Sequence, residues 1–110
     1  MKLEEMSPDE ILQEIEARGD ELTHAEAEHA TIETDFKAWE ATRQLAYRDS
    51  KMSMAEAEKR VRAEDGWSDK YFELQVSHVN VADKKRRHRR AEHALELFRT
   101  VQATIRAIER

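Results

Sequence analysis

The chain contains few of the residues that form disulfides, tight turns and β-hairpins. It has no cysteine, one proline and two glycines among 110 residues. Without cysteine there are no disulfides and no thiolate metal ligands, so we expect a protein of a reducing cytoplasm. With so little glycine and proline, the turn residues that β-hairpins require are missing. These absences favour an all-α protein.

Apolar material is also scarce. Aromatic residues make up 6% of the chain and charged residues 39%, which leaves little for a thick globular core. The amino-terminal MKLEEMSPDE is acidic and lacks a signal-peptide core, and no window approaches the roughly 18 apolar residues that span a bilayer. We therefore expect a single helical domain, residues 1–110, with no membrane contact.

The first helix is predicted over about residues 8–49. It begins with Ser7-Pro8-Asp9-Glu10, in which Ser7 and Glu10 form a capping box and Pro8 occupies the first helical position. Gly19-Asp20 predicts a kink or a short break, because glycine costs roughly 1 kcal/mol in a helix interior. A stripe with alternating steps of four and three indicates a coiled-coil-like seam. Its members are Ile11, Ile15, Leu22, Ala25, Ile32, Phe36, Trp39 and Ala46, with Arg18, His29 and Arg43 between them.

Two further helices are predicted after a polar stretch that ends the stripe. Ser53-Met54-Ala55-Glu56 is a second capping box and starts a short helix, about 54–65, which Gly66 should end in the left-handed conformation. Ser68 then caps a last helix, about 69–109. The two long helices have similar lengths, which favours an antiparallel hairpin with the short helix at its tip. In that hairpin, paired residue numbers would sum to roughly 119.

Trp39 and Trp67 differ in their predicted environment. Trp39 lies on the seam and is expected in the core. Trp67 is expected in the turn beside Gly66, where it either packs on Tyr71 and covers the hairpin tip or contacts a partner.

Charge is distributed unevenly along the chain. Residues 1–50 hold 14 Asp or Glu against 5 Lys or Arg, whereas residues 51–110 hold 10 against 14. The basic segment, KKRRHRR at residues 84–90, predicts an anion-binding surface of Lys84, Lys85, Arg86, Arg87, Arg89 and Arg90. Two partners remain open. One is nucleic acid, and the other is the acidic first helix, through Glu26, Glu28, Glu33 and Asp35.

The predicted last helix carries more apolar surface than one partner helix can bury. Its apolar residues cover more than one helix face at both ends, so homo-oligomerisation is the simplest way to remove them from water. The residues that we expect to mediate self-association are Phe72, Val76, Val79, Leu95, Phe98, Val101, Ile105 and Ile108.

Catalytic and metal-binding motifs are weak. Glu26 and His29 have the Glu-x-x-His spacing of di-iron bundles, but the predicted last helix offers Glu92-His93 and no copy at that spacing. No nucleophile elbow, glycine-rich phosphate loop or zinc spacing occurs. We predict no enzyme activity, no cofactor, no metal and no small-molecule substrate.

From Ser53 onward the chain resembles short phage- and prophage-encoded helical proteins. The features are a capped Ser-x-Ala-Glu-Ala-Glu helix, a small turn with a Tyr shortly after, a long helix, and the closing ELFRTVQATIRA, over residues 53–107. Such proteins are often encoded beside replication and strand-annealing recombination genes. The resemblance implies an accessory protein that works near DNA, and it transfers no catalytic residue.

Three functions follow from these observations. The first is a phage-type accessory protein that binds nucleic acid or a DNA-processing partner through the basic segment. The second is a structural coiled-coil module that assembles without binding nucleic acid. The third is an acidic inhibitor that mimics nucleic acid with the Glu-rich face of the first helix.

Overall fold

The fold is an all-α helical hairpin. A computed structural model describes residues 5–109, which form three helices and no strand: α1 is Pro8–Arg48, α2 is Met54–Arg62 and α3 is Asp65–Glu109. The chain divides into two compact units. The terminal unit comprises Met1–Ala25 and Val81–Arg110, and the central unit comprises Glu26–Asn80. A segment of α1 pairs with a segment of α3 in each unit, which confirms the predicted fold class. The single domain stays a prediction.

Both predicted serine N-caps are present. At the start of α1, the Glu10 amide donates to Ser7 Oγ at 3.3 Å, and the Ser7 hydroxyl donates to Glu10 Oε1 at 3.1 Å. At the start of α2, the Glu56 amide donates to Ser53 Oγ at 3.2 Å. The bonds from Glu10 N and Glu56 N each satisfy an amide that the first helical turn leaves without a backbone acceptor.

The break predicted at Gly19-Asp20 is wrong, because α1 continues through both residues. Gly19 lies against His88 of α3, and a Cβ at Gly19 would be 3.4 Å from His88 Nε2. Contact between the two helices therefore holds this turn helical. The intrinsic cost of one glycine, about 1 kcal/mol, is small enough for such packing to offset.

The predicted boundary between the second and third helices is also wrong. α2 ends at Arg62 and α3 already begins at Asp65, so Gly66 and Ser68 lie inside α3. Neither Gly66 nor Gly19 has a positive φ; that conformation occurs at Lys51, with φ 67°, in the turn after α1. The Trp39 ring occupies the space beside Gly66, where a Cβ would be 3.4 Å from Trp39 Cζ2. Packing against Trp39 thus places Gly66 in a helix, although its sequence context indicates a stop.

The predicted register of the hairpin is shifted. In the terminal unit Gly19 faces His88, and in the central unit Phe36 packs against Tyr71, so paired numbers sum to 107 and not to 119. The shift arises because the return begins before α3. Glu64, which lies between α2 and α3, already contacts Arg43 near the end of α1. The predicted stripe of α1 is otherwise confirmed, except that Ala46 is exposed and Tyr47 is half-buried.

The face of α3 that packs on α1 follows steps of three and four. Its buried and half-buried members in the central unit are Trp67, Lys70, Leu74 and Ser77. Those in the terminal unit are Val81, Lys84, His88, Ala91, Leu95, Phe98 and Gln102. We call this face the α3 seam. The sequence indicated no seam through residues 82–94 because the side chains there are polar or small.

Candidate nucleic-acid interface

The basic segment lies in the terminal unit on the part of α3 opposite its seam. Lys84 and His88 are half-buried on the seam. The other five cations are exposed. We call this set the basic face: Lys85, Arg86, Arg87, Arg89 and Arg90. Of the six predicted anion-contact residues, five therefore remain accessible to a ligand.

The basic face has a crest and two flanks. Successive residues of an α-helix are rotated by about 100°, since a turn contains 3.6 residues. Arg86 then points directly away from the seam. Lys85 and Arg89 lie on one side of Arg86, and Arg87 and Arg90 lie on the other. The five cations therefore cover an arc of about 200° within about 7.5 Å of helix length.

Few carboxylates neutralise the basic face. Arg86 Nη2 lies 2.6 Å from Asp83 Oδ1, and Arg87 Nε lies 3.1 Å from Asp83 Oδ2, so one carboxylate on the same helix contacts both guanidinium groups. Within residues 5–109, no carboxylate comes within 4.0 Å of Lys85, Arg89 or Arg90. In the described part of the chain, three of the five cations thus have no carboxylate partner.

The seam beneath the basic face is polar. Lys84 Nζ lies 4.0 Å from Glu21 Oε2, and His88 Nδ1 lies 3.1 Å from Glu92 Oε1. Glu21 also accepts a hydrogen bond from Arg18 at 2.9 Å. The carboxylates that contact residues 84–90 are therefore Glu21, Asp83 and Glu92. The predicted partners Glu26, Glu28, Glu33 and Asp35 are wrong, because the register places α3 differently.

The two helices of the terminal unit carry opposite charge. Residues 8–25 of α1 contain six carboxylates and one cation, Arg18. Residues 81–109 of α3 contain eight Lys or Arg and four Asp or Glu. Most of this positive charge is concentrated in residues 84–90. An approaching polyanion is therefore attracted to the outer side of α3 and repelled by α1.

Aromatic side chains gather in the central unit. Trp67 stacks on Tyr71 with a centroid distance of 4.8 Å and an interplanar angle of 8°, and Phe36 lies 6.0 Å from Trp67. The Trp67 indole N–H donates to Glu40 Oε2 at 2.9 Å. The predicted packing of Trp67 on Tyr71 is confirmed. Its predicted position in a turn is wrong, because Trp67 lies in the first turn of α3.

Glu64, Arg43 and Tyr47 form a cluster around one carboxylate. This cluster joins α1 to the connection between α2 and α3. Arg43 Nη2 donates to Glu64 Oε1 at 2.6 Å, and Arg43 Nε lies 3.1 Å from both carboxylate oxygens. The Tyr47 hydroxyl donates to the same carboxylate at 2.6 Å. The hydrogen bond from Arg43, followed by that from Tyr47, lowers the pKa of Glu64. Sequence spacing does not reveal this cluster, because the contact between Arg43 and Glu64 depends on the register.

A second polar contact crosses the seam of the central unit. The Ser77 hydroxyl donates to the Leu74 carbonyl at 2.8 Å, so Ser77 Oγ accepts from His29 Nδ1 at 2.7 Å. His29 Nε2 lies 3.4 Å from Glu33 Oε2. A hydrogen bond from Lys37 is the main cause of the lowered pKa of Glu33. Ser77 is only 8% exposed, and it donates its proton to the Leu74 carbonyl. The contact between Ser77 and His29 therefore positions α3 against α1 in the central unit.

Metal-ligand geometry is not found in the described part of the chain. Among residues 5–109, no three His, Cys, Asp or Glu side chains are close enough together to hold an ion. His29, the histidine of the Glu-x-x-His motif, contacts Ser77 and Glu33 instead.

The predicted self-association residues differ in exposure. Phe72, Val76 and Val79 are exposed in the central unit, Phe72 to 70%. In the terminal unit, Val101, Ile105 and Ile108 are exposed, whereas Leu95 and Phe98 are half-buried on the α3 seam. Leu97, which the predicted set omits, is 60% exposed and extends the terminal stripe. Self-association itself stays a prediction.

Comparison with known proteins gives no relative. No protein-family model matches the chain, and neither a curated protein nor a solved structure matches it. None of the helices described over residues 5–109 is both long enough and apolar enough to cross a membrane.

Proposed function

We propose that this protein is a cytoplasmic, phage-type accessory protein that binds nucleic acid through the basic face of α3. The observation that carries the proposal is the exposure of five cations, three of which have no carboxylate of residues 5–109 within 4.0 Å. Such a surface attracts phosphates and releases their counterions on binding. The resemblance of residues 53–107 to phage helical proteins supports a role near DNA-processing enzymes.

The polarity of the terminal unit supports the same proposal. Had the basic segment served only to align the hairpin, most of its side chains would contact the acidic α1. Among residues 5–109, the one ion pair between the basic segment and α1 joins Lys84 to Glu21, at 4.0 Å. The remaining cations point away from α1, where they contribute little to the hairpin because exposed ion pairs are worth about 0–1 kcal/mol. Ligand binding gives these residues a role that the fold does not.

The test is fluorescence anisotropy of labelled nucleic acid, titrated with the full chain at several salt concentrations. We expect log K to fall linearly with log salt, with a slope no steeper than about −4.5, since each neutralised phosphate contributes about −0.9 and five cations are exposed. Replacing Arg86, Arg87, Arg89 and Arg90 by Gln should abolish binding while circular dichroism shows the helices intact.

A matched control removes four charges elsewhere. Lys51, Lys59, Arg60 and Arg62 are exposed residues of the central unit. Their replacement by Gln changes the net charge equally and should reduce affinity only slightly. Equal losses in the two variants would mean that net charge alone drives binding. Absence of binding at low salt would refute the proposed function.

A second candidate function is assembly through apolar surface. It is favoured by the exposed stripe of Leu97, Val101, Ile105 and Ile108 on α3, of which Ile108 is 78% exposed. Burying such a stripe against a second copy removes apolar area from water at roughly 25 cal/mol per Å². Light scattering after size exclusion should then give more than one chain per particle, and replacing Val101 and Ile105 by Glu should give a monomer. A wild-type monomer at high concentration would exclude this function.

A further inference from the structure

The shape of the basic face indicates which nucleic acid it fits. Resting on the proposed function, we infer that the ligand is a duplex, seated so that the two flanks of the basic face contact the phosphates of two different strands. Single-stranded nucleic acid is then the weaker ligand.

The first argument is the width of the basic face. An α-helix with its side chains is about 10–12 Å across, and the major groove of a DNA duplex is about 12 Å wide. The outer half of α3 therefore fits between two strands. In this position Arg86 points toward the groove floor, while Lys85 and Arg89 face one strand. Arg87 and Arg90 face the other strand.

The second argument concerns single strands. Proteins that bind single strands combine cations with aromatic side chains on which bases stack, at about 1–3 kcal/mol per base. The terminal unit has one aromatic residue, Phe98, and it is half-buried on the α3 seam, away from the basic face. A single strand would follow one row of cations and find no Phe, Tyr or Trp beside them. A duplex can contact both flanks at once.

Asp83 contacts Arg86 and Arg87 in the absence of ligand. These two residues belong to the crest and to one flank. A phosphate must replace the carboxylate as their partner, so Asp83 competes with the ligand. Removing its charge should strengthen binding, and the gain should be greater for a duplex, which engages the whole arc.

The experiment compares a duplex of 24 base pairs with a 24-nucleotide oligo-dT at one salt concentration, using the full chain. We expect the duplex to bind about tenfold more tightly, because it adds a second row of phosphate contacts. Equal or tighter binding of oligo-dT would overturn the inference and leave the proposed function intact. Absence of binding to both would refute the proposed function itself.

Paired flank variants test the two-strand geometry. One variant replaces Lys85 and Arg89 by Gln, and the other replaces Arg87 and Arg90 by Gln, so each removes two charges. We expect each to weaken duplex binding by a similar factor and to reduce the salt slope by up to about 1.8. If only one flank affects duplex affinity, the duplex does not contact both sides and the inference is wrong.

Asp83→Asn should change duplex affinity in the opposite direction from the flank variants. It should tighten duplex binding about threefold, since one competing charge is removed. Glu73→Gln, at an exposed carboxylate of the central unit, makes the same change in net charge and should leave affinity nearly unchanged. Poly-glutamate added as a competitor should displace duplex poorly; displacement as effective as that by unlabelled duplex would indicate an acidic protein partner and overturn the inference.

Discussion

The two units of the hairpin join α1 to α3 by different means. The central unit contains six of the seven aromatic residues, and it links its elements through Glu64, Arg43 and Tyr47. The terminal unit contains one aromatic residue, and its seam includes Lys84 and His88. Its buried positions hold small or aliphatic side chains: Ile11, Ala25, Val81 and Ala91.

The two units therefore differ in the interactions that stabilise them and in the side chains that they expose. Aromatic packing and hydrogen bonds to one shared carboxylate give large stabilisation from few residues, and both are found in the central unit. The terminal unit uses small seam residues and places its cations outside. The unit with the weaker core thus carries the surface that we propose for binding.

The largest expected effect comes from removing the aromatic core of the central unit. Phe36 is 8% exposed and contacts Trp67 and Tyr71. Phe36→Ala should lower the free energy of unfolding by about 3–5 kcal/mol. Urea titration followed by tryptophan fluorescence measures this loss, since both tryptophans lie in the central unit. Phe98→Ala, at a half-buried residue of the terminal unit, should cost about 1–2 kcal/mol. Equal losses of unfolding free energy in the two variants would contradict the conclusion that the terminal unit has the weaker core.

The next effect is the pH dependence that Glu64 confers. Its pKa is lowered in the folded chain, mainly by the hydrogen bond from Arg43. The folded chain therefore binds a proton at Glu64 less readily than the unfolded chain, and this carboxylate stabilises the fold above its unfolded pKa, near 4.3. The contribution is lost as pH falls through the folded pKa.

Glu64→Gln tests this dependence. It should lower the Tm at pH 7, and the difference from wild type should shrink as the pH falls below about 4. Glu73→Gln is the control because no ion pair holds Glu73 in the described structure. A Tm difference that stays constant from pH 7 to pH 3 would rule out the role assigned to Glu64.

A smaller effect is expected at the seam hydrogen bond of the central unit. Ser77→Ala removes the acceptor of His29 Nδ1 and should cost about 1–2 kcal/mol, because a half-buried donor loses its partner. Ser68→Ala, on the exposed side of the first turn of α3, should change stability by less than about 0.5 kcal/mol. Urea titration of both variants measures the difference, and equal losses would show that the bond to His29 contributes nothing.

The smallest effect is a gain. A Cβ at Gly19 would meet His88 at 3.4 Å, an ordinary contact, so Gly19→Ala should stabilise the fold by up to about 1 kcal/mol through helix propensity. A Cβ at Gly66 would lie at the same distance from Trp39, but residue 66 is in the first turn of α3, where helix propensity contributes less to stability. Chemical denaturation should rank Gly19→Ala above Gly66→Ala. Loss of stability in Gly19→Ala would mean that His88 cannot move.

Local sequence signals predicted the three helices and the starts of α1 and α2 correctly. Ser7 and Ser53 were identified as caps because their motif depends on residues three positions apart. The seam of α1 was predicted from spacing alone. Gly19 and Gly66 were misread for a common reason: a contact with a distant aromatic ring, His88 or Trp39, outweighs a local preference of about 1 kcal/mol.

The register of α3 against α1 could not be predicted from local signals. The contacts of the basic segment depend on this register. The basic segment was identified from composition, but its partner on α1 was wrong because the return begins with α2. The three cations without counter-ions and the Glu64 cluster both follow from the true register. Long-range pairing of two helices is encoded in which side chains fit opposite each other, as His88 fits Gly19, and such fits are visible only in three dimensions.

The contact between Gly19 and His88 also affects how α1 and α3 align. Coiled coils resemble themselves after seven residues, so two long helices can slide by one heptad at little cost unless some layer forbids it. Gly19 is the one glycine of α1, and His88 fits beside it. A slide of one heptad in either direction would place Leu12 or Glu26 at the position of Gly19, and both have larger side chains. The contact between Gly19 and His88 therefore disfavours an alignment displaced by one heptad.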